Sequence, residues 1–498
     1  MRILLSSICL ETGTDIQLAL YYLKGYLLKP PPVRPSGCLP ALRSCDISIR
    51  TFTEDVNASR IARDIARHKP RIAGFSCYVW NIEKTLSVCR SLKKLHADIL
   101  VILGGPEATP RAEDILNSEP AVDIVVRGEG EQAFRDCVAA VAAGRGGSPR
   151  GLSRITGISW RQDGCVRSNP ARKPDLAFAA VPSPYLSGLI DLDRRDIVDV
   201  PLETARGCAC RCAYCYYHKN FPRVRFFPLS RVEKELALIL FHRPREVYLM
   251  DATFNAHPAR AKKILRLFIR HNRGSNLHVE LKAELLDEEM VSLLAAARAN
   301  NIEIGVQSLN SRTLMAINRH FDKEMFRKGI GLLNKYGLLY EIQLIDALPY
   351  QRYSDLQDAL DWLYSLHPVK IALLPLSVLP GTALRASADR YGIKFGKQAP
   401  YRAYQSNAMS RKEVTRLERL RFAMERLYDS QIFQKVLYEL RDTAGIKISD
   451  IFEDFINWSA RLPGAKRITP EKYNRLLPDF LKKKGARHNY KLTTLWIT

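Results

Sequence analysis

Several features are missing from this chain of 498 residues, and each absence excludes a class of protein. No apolar run approaches the roughly 18–20 residues of a membrane-spanning helix, and the stretch ILVILGG at 99–105 is short and strand-like. The N-terminus has one arginine and a brief apolar stretch before its first acidic residue, which makes a poor signal peptide. We therefore expect a cytoplasmic protein without a membrane span, in which thiols stay reduced.

The cysteines stop early in the chain, because none of the 11 lies beyond Cys215. Four of them crowd into the stretch RGCACRCAYCYYHKN at 206–220, namely Cys208, Cys210, Cys212 and Cys215. A disulfide framework is not expected in a reducing compartment, and an odd cysteine count is ordinary there. The crowding favours a metal centre at this one place.

Acidic residues are the minority among the charged side chains, with 52 Asp and Glu against 76 Lys and Arg and a net charge of +24. The excess is uneven, since residues 461–498 hold ten Lys and Arg against only Glu471 and Asp479. Such a basic end can bind RNA, an anionic substrate or a leader peptide, and it is equally typical of a solvated surface. A nucleic-acid partner is therefore an alternative that we do not favour.

Hydrophobic periodicity divides the chain into four parts. Apolar strands alternate with helices over residues 1–145, which predicts a doubly wound, Rossmann-like parallel sheet. Residues 146–195 are rich in Gly and Pro and predict a linker with a small hairpin, ITGISWRQDGCVRSN. Strand–helix units over 196–400 fit a partial (β/α)6 barrel, and 401–498 is predicted to be mainly helical. The expected fold class is therefore α/β.

The four crowded cysteines follow the first barrel strand, and active sites of such barrels lie at strand C-termini. Without Cys210, their spacing is Cys208-x-x-x-Cys212-x-x-Cys215. A loop of this spacing can place one thiolate on each of three irons of a [4Fe–4S] cluster and leave the fourth iron open for substrate. A structural zinc site with Cys210 as the fourth ligand is the alternative, although four ligands within eight residues would be cramped.

This stretch, with Tyr214 before the last cysteine, resembles the signature loop of the radical S-adenosylmethionine (SAM) superfamily. The resemblance implies that Cys208, Cys212 and Cys215 hold a [4Fe–4S] cluster whose open iron binds the amino and carboxylate groups of SAM. It also implies a low-potential electron donor of the flavodoxin or ferredoxin type, because one electron must reach the cluster before SAM is cleaved to a 5′-deoxyadenosyl radical. Since no cysteine follows Cys215, we expect no auxiliary cluster, and Cys210 is left as a bystander.

The resemblance continues at the ends of the following barrel strands. YLMDATFN (248–255) stands where the family contacts the SAM amino group, although it lacks the usual Gly-Gly-Glu. LIDALP (344–349) and SVLPGT (377–382) stand where backbone packs against the adenine. A polar strand-end residue alone is often a satisfied hydrogen-bonding group, but several at successive strand ends favour a binding site. The implied SAM contacts are Tyr214, Asp251, Asn255, Glu284, Gln307 and Ser308.

Two Gly-rich turns in the N-terminal part, GGPEATP (104–110) and VVRGEGEQAF (125–134), accompany predicted strands. Their glycines allow tight turns and a close approach of backbone to a ligand at the carboxyl ends of the strands. Together with AGFSCYVWN (73–81) they resemble the cobalamin-binding domain that precedes the barrel in one radical SAM subfamily, although the DxHxxG signature that supplies a histidine to cobalt is missing. A generic nucleotide-binding or ligand-free sheet is the alternative. The implied cobalamin contacts are Ser76, Cys77, Tyr78, Gly104, Gly105, Glu107, Gly128, Glu129 and Gly130.

The combined resemblance, which extends over most of the chain to a branch with a C-terminal domain of unknown function, implies a cobalamin-dependent radical SAM enzyme. We expect it to methylate an unactivated carbon or a phosphinate phosphorus of a small-molecule or peptide substrate. Three alternatives stay open. They are a non-methylating cyclase, ring-rearranging or oxidising enzyme; a tRNA methylthiotransferase, for which Cys9, Cys45 and Cys77 are spaced like ligands of an N-terminal cluster; and a non-catalytic cofactor sensor.

Overall fold

The computed structural model describes residues 1–10, 16–28, 42, 45–144, 149–174, 176–194, 197–221, 223–462 and 470–487. A seven-stranded sheet, a six-stranded barrel sheet and a group of C-terminal helices follow one another along the chain. Within the described part of the chain, no helix combines the length and the apolar character that crossing a membrane requires.

The N-terminal unit is a sheet with helices on both faces. Its strands are β1 Arg2–Cys9, β2 Asp46–Thr53, β3 Ile72–Ser76, β4 Leu100–Gly104, β5 Ile124–Val126, β6 Ile158–Gln162 and β7 Cys165–Ser168. Its helices are α1 Leu18–Leu28, α2 Ala58–Arg67, α3 Ile82–Leu95, α4 Ala112–Ser118, α5 Gly130–Ala142 and α6 Pro149–Leu152.

The strand order β2-β1-β3-β4-β5-β6-β7 explains the apolar character of the sequence here. The first five strands are parallel, and β1 is buried at every residue after the first because the sheet is covered on both faces. Helices α1 and α5 contribute to one apolar layer, and α2 and α3 to the other. This arrangement confirms the predicted doubly wound sheet.

The predicted hairpin is present as β6 and β7, but it does not belong to a linker. It pairs antiparallel with β5 and extends the sheet. Ile158 and Trp160 alternate along β6 and are buried against the α5 side, whereas a hairpin alone in water is marginally stable. Asn169 closes this edge, since its side-chain amide donates to the carbonyl oxygens of Leu152 (2.7 Å) and Ile155 (2.8 Å). The connection to the barrel therefore begins after the hairpin.

The central unit is the predicted partial barrel, with six parallel strands in the order β15-β14-β13-β12-β11-β8. These are β8 Asp199–Leu202, β11 Glu246–Leu249, β12 Asn276–Leu281, β13 Ala299–Gln307, β14 Tyr340–Ile345 and β15 Lys370–Leu374. A short antiparallel pair, β9 Ala205–Arg206 with β10 Arg225–Phe226, interrupts the first connection. The helices of this part are α7 Tyr217–Asn220, α8 Leu229–Phe241, α9 Pro258–His271, α10 Glu288–Ala296, α11 Ser311–Ala316, α12 Lys323–Lys335, α13 Tyr353–Tyr364 and α14 Ala383–Ala386.

The C-terminal part is mainly helical, as predicted, and it shares the barrel's apolar core. After the strand pair β16 Lys394–Phe395 and β17 Ala403–Gln405 come α15 Arg411–Met424, α16 Gln434–Asp442, α17 Ile448–Ser459 and α18 Pro470–Arg487. Ser449 at the start of α17 donates from its backbone N–H to Asp361 Oδ1 in α13 (2.9 Å), which ties the helices to the barrel wall. Residues 463–469 and 488–498 of the basic C-terminal end lie outside the described residues, and Lys484 pairs with Asp454 at 2.7 Å.

Candidate functional site

The cysteine loop runs from β9 to α7, at the C-terminal end of the first barrel strand. Three hydrogen bonds of 2.8 Å hold it from two sides. The Ala213 N–H donates to the Ile317 carbonyl, the Asn318 side-chain amide donates to the Arg211 carbonyl, and the Leu384 N–H donates to the Ala213 carbonyl. Segments after the fourth and sixth barrel strands therefore hold the loop in shape. The cysteine spacing does not predict any of these three hydrogen bonds.

The thiols lie in a half-buried, positively charged setting. Cys212 is only 4% exposed, while Cys208 and Cys215 are partly exposed. Arg319 donates from Nη1 to Cys212 Sγ at 3.5 Å and from Nη2 to the carbonyl of Gly305. Cys208 Sγ lies 3.8 Å from Thr253 Oγ1. Arg319 lies far from the cysteines along the chain and carries no motif of its own, so the sequence does not predict this contact.

Hydrogen bonding and burial shift the pKa values of three loop cysteines, Cys208, Cys210 and Cys215. A hydrogen bond from the Cys210 thiol lowers the pKa of Cys208 to about 7, against the effect of burial. The same hydrogen bond, with burial, raises the pKa of Cys210. Burial also raises the pKa of Cys215. These shifts describe one hydrogen-bonded pair of thiols, and that Cys210 is a bystander stays a prediction from the cysteine spacing.

These residues fit an iron–sulfur cluster by the chemistry of their donor set. Among the described residues, no three His, Cys, Asp or Glu side chains are grouped as ligands of a single metal ion. A [4Fe–4S] cluster takes each thiolate on a different iron, so its ligands surround the cluster without converging on one atom. Three cysteines on one loop, with a half-buried guanidinium at one sulfur, could hold such a cluster.

Two predicted SAM contacts brace the barrel instead of presenting free polar groups. Asp251 Oδ1 accepts from the N–H groups of Thr204 (2.8 Å) and Ala205 (2.9 Å), and Oδ2 accepts from the Thr204 hydroxyl. The Asn255 amide accepts from the Lys282 N–H (2.9 Å) and donates to the Lys282 carbonyl (2.8 Å). Both side chains are buried; Asp251 fixes the segment that leads into the cysteine loop, and Asn255 fixes the end of the third barrel strand.

We expect Asp251 to give the protein a measurable pH dependence. Burial raises its pKa to about 6, although the hydrogen bonds from Thr204 and Ala205 oppose this rise. The folded protein therefore binds this proton more tightly than the unfolded chain, whose pKa is near 4. The resulting stability is fully present below pH 4 and is lost as the pH rises through about 6. Asparagine keeps an acceptor for both N–H groups but does not titrate. Asp251→Asn should therefore abolish the pH-dependent part of the free energy of unfolding, which is about 2–3 kcal/mol. Chemical unfolding from pH 4 to 7.5 tests this, and a wild-type-minus-variant difference that is independent of pH would contradict it.

Of the other predicted SAM contacts, Glu284 follows the third barrel strand, Gln307 and Ser308 lie at the end of the fourth, and Tyr214 lies on the cysteine loop. Glu284 pairs with Lys282 at 3.4 Å, and Ser308 Oγ accepts from the N–H of Asn310 (3.2 Å) and from Gln351 (3.2 Å). Tyr214 packs against the barrel core, and burial raises its pKa.

Gln307 is the one among them that keeps an unused polar atom. Its Oε1 is buried and has no hydrogen-bond partner among the residues that the structure describes. Its backbone is left-handed, with φ of 72°, which is uncommon outside glycine. A Cβ on Gly305 would lie 2.5 Å from Gln307 Nε2, so a larger residue there would displace the Gln307 amide from this position. An unpaired buried acceptor at a barrel end suits a ligand that donates hydrogen bonds.

The predicted cobalamin contacts of β3 and β4 meet at the carboxyl edge of the sheet. The Cys77 N–H donates to the Gly104 carbonyl (2.8 Å), and the Glu107 N–H donates to the Cys77 carbonyl (3.2 Å). A Cβ on Gly105 would lie 2.5 Å from the Cys77 carbonyl oxygen, so the turn requires glycine. Cys77 is fully buried, and burial raises the pKa of its thiol. Next to it, the Ser76 carbonyl accepts from Asn81 (3.2 Å) and Tyr78 stacks on Trp80.

Glu107 connects this edge to the C-terminal part of the chain. Its buried carboxylate accepts from Arg111 Nη1 (2.9 Å) and from the hydroxyl of Tyr401. Arg111 Nη1 also donates to the Tyr401 hydroxyl at 2.6 Å. Glu107 therefore serves at least as an interdomain contact.

The second Gly-rich turn is attached to the barrel through Arg206, a contact that the sequence does not predict either. Arg206 is 5% exposed, and its guanidinium donates to Glu129 (2.9 Å), Glu131 (2.9 Å) and Glu203 (3.0 Å). Arg225 adds a contact to Glu129 at 2.6 Å. Burial would lower the pKa of Arg206, but the three carboxylates raise it well above its usual value. Glu129 thus joins the turn to the strand that ends two residues before Cys208.

A cavity of about 270 Å³ opens beside the ion-pair hub that Arg206 forms with Glu129, Glu131 and Glu203. Its wall combines the N-terminal unit, the connection to the barrel and the cysteine loop; the lining includes Thr109, Gly128, Lys173, Pro174, Tyr216 and Lys219. The Gly128 N–H donates to Thr109 Oγ1 (3.2 Å), and a Cβ on Gly128 would meet nothing within 4 Å. Gly130, by contrast, packs against Leu23. Gly128 and Glu129 are therefore predicted cobalamin contacts that line this cavity.

The alternative cluster ligands Cys9, Cys45 and Cys77 do not meet. Cys9 ends β1, and Cys77 follows β3 at the same edge of the sheet. Cys45 precedes β2, whose first residue Asp46 pairs with Arg2 at the other end of β1. At about 3.3 Å per residue, the length of β1 places Cys45 roughly 25 Å from Cys9. These three cysteines therefore cannot share one cluster in this fold.

Comparison with known proteins agrees with this geometry. The radical SAM superfamily matches residues 202–363 and the B12 binding domain matches residues 41–138. The chain therefore carries a radical SAM domain and a B12-binding domain. Residues 389–495 match a protein family of unknown function, DUF4080. The predicted cofactors, a [4Fe–4S] cluster, SAM and cobalamin, are confirmed for this radical SAM protein at the level of its domains.

Individual relatives match part of the chain. An uncharacterized methyltransferase of Pyrococcus horikoshii is 26% identical over 292 residues, which are 58% of this chain and 62% of that protein. The anaerobic magnesium-protoporphyrin IX monomethyl ester cyclase of Rubrivivax gelatinosus is 25% identical over 334 residues, 64% of this chain and 59% of that protein. The chain thus spans about three-fifths of the length of each relative.

A solved structure shows the same fold over almost the whole chain. The cobalamin-dependent S-adenosylmethionine radical enzyme OxsB, with aqua-cobalamin and S-adenosylmethionine bound, has a TM-score of 0.66. The likeness covers 98% of this chain and 75% of that chain at 15% identity. It confirms the order of a parallel-sheet domain, a barrel and a helical C-terminal part.

Proposed function

We propose that this radical SAM protein is a cobalamin-dependent methyltransferase that acts on an unactivated carbon, or a phosphinate phosphorus, of a small-molecule or peptide substrate. The observation that carries the proposal is the ion-pair hub of Arg206 with Glu129, Glu131 and Glu203. The hub holds a Gly-rich turn of the B12-binding domain beside the strand that leads into Cys208. A reaction that needs both cofactors at one substrate requires such a fixed arrangement. The match to a methyltransferase relative supports it.

In this proposal Cys208, Cys212 and Cys215 hold the cluster, and Cys210 is not a ligand. Gln307 Oε1 is free to accept a hydrogen bond from a bound group, and Gly128 leaves space for a ligand at the domain boundary. When bound, the cluster with SAM supplies one-electron chemistry and cobalamin supplies the methyl group. An external low-potential donor of the flavodoxin or ferredoxin type delivers the electron.

The test is methyl transfer from SAM within the reconstituted protein, which requires no knowledge of the substrate. With methyl-labelled SAM and reduced cobalamin under anaerobic conditions, we expect about one labelled methyl per chain on the cobalamin and one S-adenosylhomocysteine. Mass spectrometry of both products checks this. Formation of 5′-deoxyadenosine without any S-adenosylhomocysteine would contradict the methyltransferase. A cofactor sensor would form neither product.

A second candidate is a non-methylating enzyme that uses the same cofactors for cyclisation, ring rearrangement or oxidation. It is favoured by one observation: the cyclase relative matches the chain at 25% identity, almost the same as the 26% of the methyltransferase relative. The product analysis above separates the two, because only the methyltransferase must form S-adenosylhomocysteine.

Arg319 offers a prediction about the cluster itself. Its hydrogen bond to Cys212 Sγ (3.5 Å) stabilises negative charge on a ligand thiolate, and therefore favours the reduced cluster. We expect Arg319→Gln to lower the midpoint potential by about 60–130 mV, the one-electron equivalent of a lost charged hydrogen bond. Redox titration followed by electron paramagnetic resonance measures the potential.

The matched control for this experiment is Arg312→Gln. Arg312 lies on the nearby helix α11, but its guanidinium covers the ring of Tyr350 at 3.9 Å. Its variant should keep the wild-type potential. If both variants shift the potential equally, or neither does, Arg319 does not act through Cys212.

A further inference from the structure

A basic groove lies on the N-terminal unit, outside the site described above. It has a volume of about 590 Å³ and runs between the edge strand β2 and the outer face of α2. Its lining residues are Arg50, Phe52, Val56, Arg60, Arg63, Asp64 and Arg67. Cavities of this size hold a ligand or a short peptide segment.

The charge of the arginine groove, as we call the cavity between β2 and α2, is strongly one-sided. Four arginines face a single carboxylate, Asp64. Among the described residues none of the four has a salt-bridge partner; Arg50 contacts the His68 ring (3.1 Å), and Arg63 donates to the Ser59 carbonyl (3.3 Å). Four clustered guanidinium groups repel one another, so an anionic partner would lower the free energy of this surface.

The shape of the groove favours an extended peptide over other anions. Strand β2 ends the sheet and pairs only with β1 within the described chain, so its other edge offers unpaired N–H and C=O groups. The strand forms one side of the groove, and the exposed arginines of α2 form the other. Phe52 and Val56 add an apolar floor to which alternate side chains of an added strand can pack.

We propose that the arginine groove binds an acidic, extended peptide segment of another protein, which adds to the edge of β2. Main-chain pairing would supply affinity, and carboxylates facing the guanidinium groups would supply specificity, as in other strand-addition interfaces. The chain's own long segments outside the described residues do not match this chemistry, because residues 29–41 and 488–498 contain neither Asp nor Glu. A nucleic acid would use the charges but not the strand edge or the apolar floor.

The test is binding of a fluorescein-labelled Glu-Val-Glu-Val-Glu-Val peptide to the full chain with its cofactors, followed by fluorescence anisotropy. We expect saturable binding that weakens about tenfold or more in Arg60→Gln/Arg67→Gln. The control is Lys412→Gln/Arg419→Gln, which removes two exposed cations with the same seven-residue spacing from α15. It should bind like the wild type. Absence of saturable binding, or an equal loss in both double variants, would overturn the proposal.

Two further probes separate strand addition from charge alone. Glu-Pro-Glu-Pro-Glu-Pro carries the same charge but lacks the alternate N–H donors, so we expect it not to bind. An oligothymidylate of eight nucleotides tests the nucleic-acid alternative. Binding of the proline peptide as tightly as the valine peptide, or tighter groove-dependent binding of the oligonucleotide, would contradict the peptide site. Since the readout is peptide binding, its failure would leave the proposed methyl transfer untouched.

Discussion

Cys212→Ser is expected to reduce the iron content of the reconstituted protein from about four atoms per chain to near zero. Cys212 is the most buried of the four loop cysteines, and it receives the hydrogen bond from Arg319. A cluster held by only two thiolates on this loop would have two irons open to solvent. SAM cleavage to 5′-deoxyadenosine should fall to the background of the protein without iron. Iron and sulfide analysis, with chromatography of the SAM products, measures both effects.

Cys210→Ser is the matched control, because it changes a neighbouring thiol on the same loop. We expect it to keep about four irons, since Cys210 is not one of the three proposed ligands. Loss of the cluster in Cys210→Ser, with its retention in Cys212→Ser, would show that the ligand assignment is wrong. Equal loss in both variants would favour the four-cysteine zinc-type site over the open cluster.

Arg206→Met is expected to destabilise the protein by about 3–5 kcal/mol. The substitution leaves Glu129, Glu131 and Glu203 without the cation that they share. All three carboxylates lie at the boundary between the B12-binding domain and the barrel, so their repulsion should separate the two units. Chemical unfolding measures the loss, and we also expect the variant to retain less cobalamin after gel filtration.

Arg225→Met serves as the control for the hub. Arg225 contacts only Glu129 among these carboxylates and is more exposed than Arg206, so its loss should cost about 1 kcal/mol. If both substitutions had the same small effect, the hub would not hold the domains together. Retention of cobalamin by Arg206→Met at the wild-type level would also contradict this role.

Local sequence patterns predict the elements of this fold well. The continuous apolar runs of β1, β3 and β4 indicate strands covered on both faces, and the spacing of Cys208, Cys212 and Cys215 indicates the cluster loop. Both signals depend on neighbouring residues, which a single sequence displays directly. The hairpin β6–β7 was predicted as an element but placed in a linker. Its pairing with β5 depends on the burial of Trp160, which no local pattern reports.

Long-range partners account for what the sequence could not predict at the site. No local sequence pattern distinguishes Arg206 and Arg319 from other arginines. The fold places Arg206 against Glu129 and Arg319 against Cys212. Asp251 was predicted to contact SAM, yet its carboxylate is occupied by Thr204 and Ala205. Such polar residues at strand ends can either hold a ligand or satisfy the backbone, and only their hydrogen-bond partners distinguish the two.

The measurement that tests the central claim most directly is anaerobic reconstitution of the full chain with iron, sulfide and hydroxocobalamin, followed by metal analysis and SAM turnover. A cobalamin-dependent radical SAM methyltransferase should contain about four irons and one cobalt per chain. With a low-potential reductant it should convert SAM to 5′-deoxyadenosine and S-adenosylhomocysteine. About four irons without cobalt would contradict cobalamin-dependent methyl transfer. Zinc in place of iron would contradict the radical SAM cluster and every step that depends on it.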